Sequence, residues 1–183
     1  MENSQFEVLQ DAADKLTSIS VDYMVTGSMA GSIYTIPRMT RDIDIVVKIF
    51  HANKNKIIEA FQKDYGVSEE DINFALQHNL MFNFLHNKKQ AKIDFIVQKR
   101  TPYRLKEFER RKYIESNLFK GYVVSLEDLI ISKVEWAKDS LSELQGYDIK
   151  SLLRTGKSID KEYLEHWLNE LNLTEIFNKL THE

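Results

Sequence analysis

The chain contains no cysteine, which removes disulfides, thiolate metal sites and cysteine nucleophiles at one stroke. Only two prolines interrupt 183 residues, and hydrophobic residues make up 43%, so the composition suits a compact globule rather than a linker. No apolar run approaches the roughly 20 residues needed to cross a bilayer, and MENSQFEVLQDAADKL has no signal-peptide pattern. No membrane association and, by default, a cytoplasmic location are expected. A G-x-S-x-G elbow and a P-loop are both missing. The five histidines, His51, His78, His86, His166 and His182, fall at no helical metal-ligand spacing and read as exposed or hydrogen-bonded structural residues. A net charge of −3 supplies no global attraction to nucleic acid. The length suits one domain, or one domain with a small helical appendage, able to bury about two thirds of its unfolded surface.

The informative segment runs from Tyr23 to Val47, YMVTGSMAGSIYTIPRMTRDIDIVV. It reads as an apolar strand, a Gly-Ser turn at Gly27 and Ser28, a short small-residue helix and a second apolar strand. That second strand carries Asp42 and Asp44 among Ile43, Ile45, Val46 and Val47, residues that favour burial in a pleated conformation. At period two both acids share a face, about 7 Å apart at the backbone. Carboxylates brought to about 4 Å repel by roughly 4 kcal/mol at an effective dielectric near 20, a cost that a bound cation removes. A third acid, Asp94, interrupts AKIDFIVQ, another segment with strand composition. Three acids on two apolar strands suit a hard divalent cation such as Mg²⁺ or Mn²⁺, completed by waters and substrate phosphates.

Each feature also has a plain structural reading. Alternate acids are commonly the solvent face of a half-buried strand, and Gly-Ser commonly makes an ordinary strand-to-helix turn in which Ser28 could cap the helix. Ala30, Gly31 and Ser32 could simply allow close packing on a sheet. The combination is what discriminates. A glycine that admits backbone N–H groups to phosphates, followed by paired acids, is what phosphoryl chemistry requires.

Gly27-Ser28, Asp42-x-Asp44 and Asp94 together resemble the nucleotidyltransferase superfamily built on a polymerase-beta-like core. More narrowly, PRMTRDIDIVV with the later SLEDLIISKVEWAKD and YDIKSLL is similar to minimal bacterial nucleotidyltransferases related to the AbiEii toxin group. The resemblance spans about Val21 to Leu153 and implies a nucleotidyltransferase-like mixed β-sheet flanked by helices. It implies that Gly27 and Ser28 contact the phosphates of a nucleoside triphosphate. Asp42 and Asp44 would hold the metal ions, and Asp94 would join them as third acid and help deprotonate the attacking hydroxyl. Lys133 falls where relatives carry a lysine near the phosphates, and Asp148 where they carry a downstream acid at variable spacing. Arg38 and Arg41 flank the acid strand and could engage phosphate or acceptor. The Ser28 to Asp42 interval is at the long end for such proteins.

The predicted elements give an α+β fold. A helix over Ser4 to Ser18 precedes the Tyr23–Val47 unit; a helix near Ala52 to Asp64 and a hairpin of Met81 to Leu85 with Lys92 to Val97 follow. A strand at Tyr122 to Val124 leads into a helix opened by Ser125 with Asp128 three residues on. From Leu126 to Leu180 the pattern is helical, with GYD and RTGKS read as breaks. The expected division is a core over 1–124 and a C-terminal helical subdomain over 125–183. Trp136 and Trp167 read as core anchors rather than stacking platforms.

Between Lys99 and Lys112 seven basic residues face two acids. This stretch reads either as a flank contacting an RNA such as tRNA or as a solvated helix face. The activity expected is metal-dependent transfer of an NMP group from an NTP to a hydroxyl on an RNA end, a protein or a small molecule. A toxin-type enzyme with an antitoxin partner is one form of it. The alternative is a non-catalytic nucleotide- or partner-binding module that keeps the fold.

Overall fold

The computed structural model describes residues 2–35, 40, 42–89, 91–138 and 143–181. Helix α1 (Glu2–Ser18) buries Val8, Leu9, Ala12, Ala13 and Leu16 along one stripe. Strand β1 (Tyr23–Val25), helix α2 (Gly27–Tyr34) and strand β2 (Asp42–Val47) follow. Helix α3 (Lys54–Phe61), shorter than the pattern suggested, leads through β3 (Tyr65–Gly66) to α4 (Glu69–His78). The reading by pattern had missed α4, although its start is marked: Ser68 caps it by accepting from the Asp71 amide at 3.1 Å. Strands β4 (Met81–His86) and β5 (Lys92–Val97) form the expected hairpin.

Helix α5 (Pro102–Glu109) is capped by Thr101, and the hairpin of β6 (Lys112–Glu115) and β7 (Lys120–Val123) extends the single predicted strand into two. Helices α6 (Leu126–Ala137), α7 (Glu143–Leu153), α8 (Lys161–Glu170) and α9 (Thr174–Thr181) complete the chain. Gly146, Tyr147 and Asp148 lie inside α7, so GYD is not a break. A Cβ on Gly146 would make an ordinary van der Waals contact with Leu180 Cδ2 at 3.5 Å, so α7 packs on α9 here without requiring glycine. The RTGKS stretch does separate α7 from α8.

The mixed sheet has the order β3-β4-β5-β2-β1-β7-β6. Its back face is aromatic and aliphatic: Ile43, Ile45, Ile93, Phe95, Phe82 and Phe84 are buried there. Phe61 of α3 packs on Phe84 and Phe95 with ring centres 5.5 and 5.4 Å apart. On the front face, α2 packs on β2 and carries α6 and α7. The pleat places the sheet's polar residues on that front face in straight rows, because β2 pairs with β5 in parallel and β5 with β4 in antiparallel register without a bulge. Asp42, Lys92 and Leu85 form one row, Asp44, Asp94 and Asn83 the next, and Val46, Ile96 and Met81 the third.

Candidate active site

The middle row carries the chemistry. Asp44 and Asp94 are direct neighbours across β2 and β5, and Gly27 presses against the first of them. A Cβ built on Gly27 would fall 2.0 Å from Asp44 Oδ2, so only glycine lets the backbone run this close to the carboxylate. Its φ of 62° independently favours glycine. The Thr26 amide donates to the Asp44 carbonyl at 2.9 Å, tying the turn to the acid strand. Thr26, not Ser28, occupies the N-cap position of α2, and Ser28 is the second residue of the helix.

Burial, with the charges of Asp94 and Asp42 beside it, pushes the Asp44 carboxyl up to about 6. Asp94 is only 4% exposed, and its Oδ1 has no hydrogen-bond partner. Lys92, unremarked in the sequence, is the neighbouring cation: its Nζ lies 2.9 Å from Asp94 Oδ2 and 3.3 Å from Asp42 Oδ1. These two acids hold the Lys92 ammonium above its ordinary value. Asp42 itself is exposed at the strand's start. Among the described residues no three acid or histidine side chains are placed as a ready metal cage. The adjacent pair Asp44 and Asp94 does have the oxygen-donor chemistry of a hard cation, one carboxylate with its ionisation suppressed and the other with an orphaned buried oxygen, and Asp42 lies one row away on the same face.

Two cavities meet at this point. The first, about 300 Å³, is bounded by Gly27, Ser28, Asp44, Val46, Ile96 and Trp136, among others. The second, about 490 Å³, lies between α2 and α7 and includes Ser32, Tyr147, Asp148 and Arg154. Ser28 and Lys133 line both. Lys133 is 5% exposed and donates to Asp148 Oδ2 at 2.6 Å, so the downstream acid and the lysine, fifteen residues apart in sequence, form one buried ion pair. Arg38 and Arg41 lie outside the described residues. Trp136, read as a core anchor, is instead 72% exposed at the rim of the first cavity. Trp167 does pack inward, its ring centre 5.1 Å from that of Tyr103.

The three arginines at 104, 110 and 111 of the basic stretch are engaged within the chain. Arg104 pairs with Glu107 at 2.8 Å and with Glu135, and Arg110 pairs with Glu127 and Asp128 while stacking over Tyr163 at 3.6 Å. Arg111 pairs with Asp22 and lies over Phe108 and Tyr122. These arginines fasten α5 and the following turn to α6 and to the β1 end of the sheet. Three of the seven basic residues are thus structural, while Lys99, Arg100, Lys106 and Lys112 stay exposed.

No protein-family model matches the sequence, and no curated protein matches it. Solved structures do match in three dimensions. The antibiotic-resistance factor ANT(2'')-Ia aligns with a TM-score of 0.63 at 10% identity, over 94% of this chain and 93% of that one. The lincosamide antibiotic adenylyltransferase LnuA, solved with lincomycin bound, aligns at 0.56 and 16% identity, over 85% and 98%. An antigenic nucleotidyltransferase-like protein from Paracoccidioides brasiliensis aligns at 0.55 and 16%, over 98% and 97%. At such identities the likeness is one of architecture: the chain has the nucleotidyltransferase fold over nearly its whole described length.

Proposed function

We propose that the protein is a metal-dependent nucleotidyltransferase that moves an NMP group from an NTP to a hydroxyl acceptor. The observation that carries this is the side-by-side placement of Asp44 and Asp94 on adjacent strands, with the Gly27 backbone seated against Asp44. In the reaction the acceptor oxygen bonds to the α-phosphorus and the bond to the bridging oxygen breaks. Pyrophosphate departs, and the hydroxyl proton passes to a carboxylate oxygen of Asp94. Asp42, Asp44 and Asp94 would hold Mg²⁺ or Mn²⁺, which when bound neutralises charge on the attacking and leaving oxygens. Lys92 would then give up its contacts with Asp42 and Asp94. Gly27 and Ser28 bring the start of α2 to the phosphates, where the helix's positive end favours anions.

The nucleoside fits the cavity between α2 and α7. Lys133 and Arg154 offer positive charge there, and the Ser32 hydroxyl, buried without a partner, offers a polar contact. This arrangement makes the helices after residue 124 part of the nucleotide site, the role we assign to a C-terminal subdomain over 125–183. The motifs shared with the AbiEii-related group support a toxin-type enzyme within this class; a small protein encoded beside it that binds the chain and abolishes activity would be the antitoxin.

Incubation with labelled NTPs, Mg²⁺ or Mn²⁺ and candidate acceptors tests the reading. Label transfer by the parent and its loss by at least about a hundredfold in Asp42→Asn and Asp44→Asn are expected; equal labelling by all three removes the chemistry. One observation favours the alternative of a non-catalytic binding module: Lys92 already bridges Asp42 and Asp94 as an internal cation. Calorimetry separates the two. NTP binding that is indifferent to Mg²⁺ and to Asp44→Asn would support the module.

A further inference from the structure

The third row of the front face is apolar and open. Val46 and Ile96 are half-buried neighbours in register, and Met81, next in the row, is 48% exposed. The row begins beneath α6, where Trp136 and Leu129 close the 300 Å³ cavity over Val46 and Ile96. It runs outward across β5 to β4, one step along the strands from Asp44, Asp94 and Asn83. The apolar strip thus runs from exposed Trp136 over half-buried Val46 and Ile96 to exposed Met81, parallel to the acid row and within about 7 Å of it.

We infer that this strip seats the acceptor, and that the acceptor is a small molecule with an apolar body and a hydroxyl group rather than a nucleic acid. The inference rests on the nucleotidyltransferase reading and adds to it the class of the second substrate. Three observations carry it. The strip is continuous with the acid row, so a molecule lying on Val46, Ile96 and Met81 presents a hydroxyl to Asp94 without rearranging the sheet. Asn83, in register with Asp94 and exposed, brings an uncharged amide beside that hydroxyl, able both to donate and to accept.

The third observation is the charge. Asp42, Asp44 and Asp94 repel a polyanion, and Lys92 is held by two of them. Arg104 and Lys133 in the cavity wall are held by Glu107, Glu135 and Asp148, so two of the three basic residues that line it are engaged and Lys99 is the exposed third. A phosphate backbone laid on this face would find most of its cations taken, and phosphate neutralisation is what nucleic-acid affinity depends on. Apolar burial on the strip needs no such cations.

The test uses alkyl glucosides, in which sugar hydroxyls are joined to an apolar tail of chosen length, and does not require turnover. The ¹³C-methyl-labelled protein is titrated with glucose and with ethyl, butyl and hexyl β-glucoside below micelle formation, and with a short single-stranded RNA. Expected are shifts of the Val46, Ile96 and Met81 methyl signals with the glucosides, affinity rising roughly fourfold per added methylene, and no shift with glucose or RNA. Met81→Asp, at an exposed position, weakens hexyl glucoside binding by about tenfold or more while circular dichroism confirms that it is folded.

Hexyl glucoside leaving these methyls unmoved overturns the inference, as does RNA moving them equally or affinity independent of tail length. Calorimetry of Mg²⁺-NTP with the unaltered protein keeps the two readings apart. NTP binding without glucoside binding removes the acceptor class alone, and absence of NTP binding removes the transferase reading whatever the glucosides do.

Discussion

Gly27 shows how a single residue couples backbone shape to charge. Replacement by alanine meets both a left-handed backbone and the Asp44 carboxylate, so Gly27→Ala is expected to lose about 1–3 kcal/mol in thermal unfolding and at least about a hundredfold in label transfer. Asp44 has the opposite character, because its charge is an internal cost. Its carboxyl is raised to about 6 from an ordinary value near 3.9, so between those pH values the folded protein binds more protons than the unfolded chain. Stability from this group is therefore greatest below the lower value and declines as pH rises through the upper one, by on the order of 3 kcal/mol at most. Asp44→Asn should raise the melting temperature of the metal-free protein at pH 7.5 and flatten its decline between pH 4 and 7. A mutant that melts lower at pH 7.5 would show that the carboxylate is better accommodated than its burial implies. By the same proton linkage, Mn²⁺ affinity is expected to weaken as pH falls below about 6, measured by calorimetry at pH 5.5 and 7.5.

At the scale of elements, the pair formed by Lys133 on α6 and Asp148 on α7 joins two helices and borders both cavities. Removing one partner from a buried pair costs about 3–5 kcal/mol, whereas replacing both by apolar residues is often neutral. Lys133→Met alone is thus expected to destabilise strongly, and Lys133→Met with Asp148→Leu to recover most of the loss in a urea titration. If Lys133 also serves the phosphates, the double variant refolds to near-parent stability yet stays inactive; recovery of activity along with stability would leave the pair a purely structural one. The two tryptophans make the related point that helical spacing shows which face a residue shares, not whether that face is covered. Trp167 meets Tyr103 from α5, while Trp136 stands exposed beside a cavity.

Across the whole molecule, the sheet divides labour between its faces. The back face carries the aromatic core that fixes register, and the front face bears acids, apolar strip and cavities. Because a one-residue slip would exchange the faces, the core on one side holds the acids in line on the other. A ligand bound at 100 times its Kd stabilises by about 2.7 kcal/mol, so saturating Mg²⁺-NTP should raise the melting temperature. Hydrogen exchange should slow at the start of α2 and in β2, with little change in β6 and β7 at the far edge; protection confined to that far edge would place the nucleotide elsewhere.

The alternation of apolar residues with Asp42, Asp44 and Asp94 determined, before any coordinates, that two strands carry these acids, since period-two burial is a local property of the chain. The Gly-Ser turn, the Ser125 cap and the α+β class were legible for the same reason. Helix α4 was readable only in hindsight from Ser68 and Asp71, and GYD misled because a glycine inside a helix is a modest cost that packing of α7 overrides. What tertiary structure alone decided was partnership: Asp44 beside Asp94, Lys92 between acids, Lys133 on Asp148, and arginines of the basic stretch turned inward to Glu107, Glu127 and Asp22. Those pairings join residues up to 89 positions apart, and no local pattern encodes them, because they are set by which strands lie together and which helices cover them.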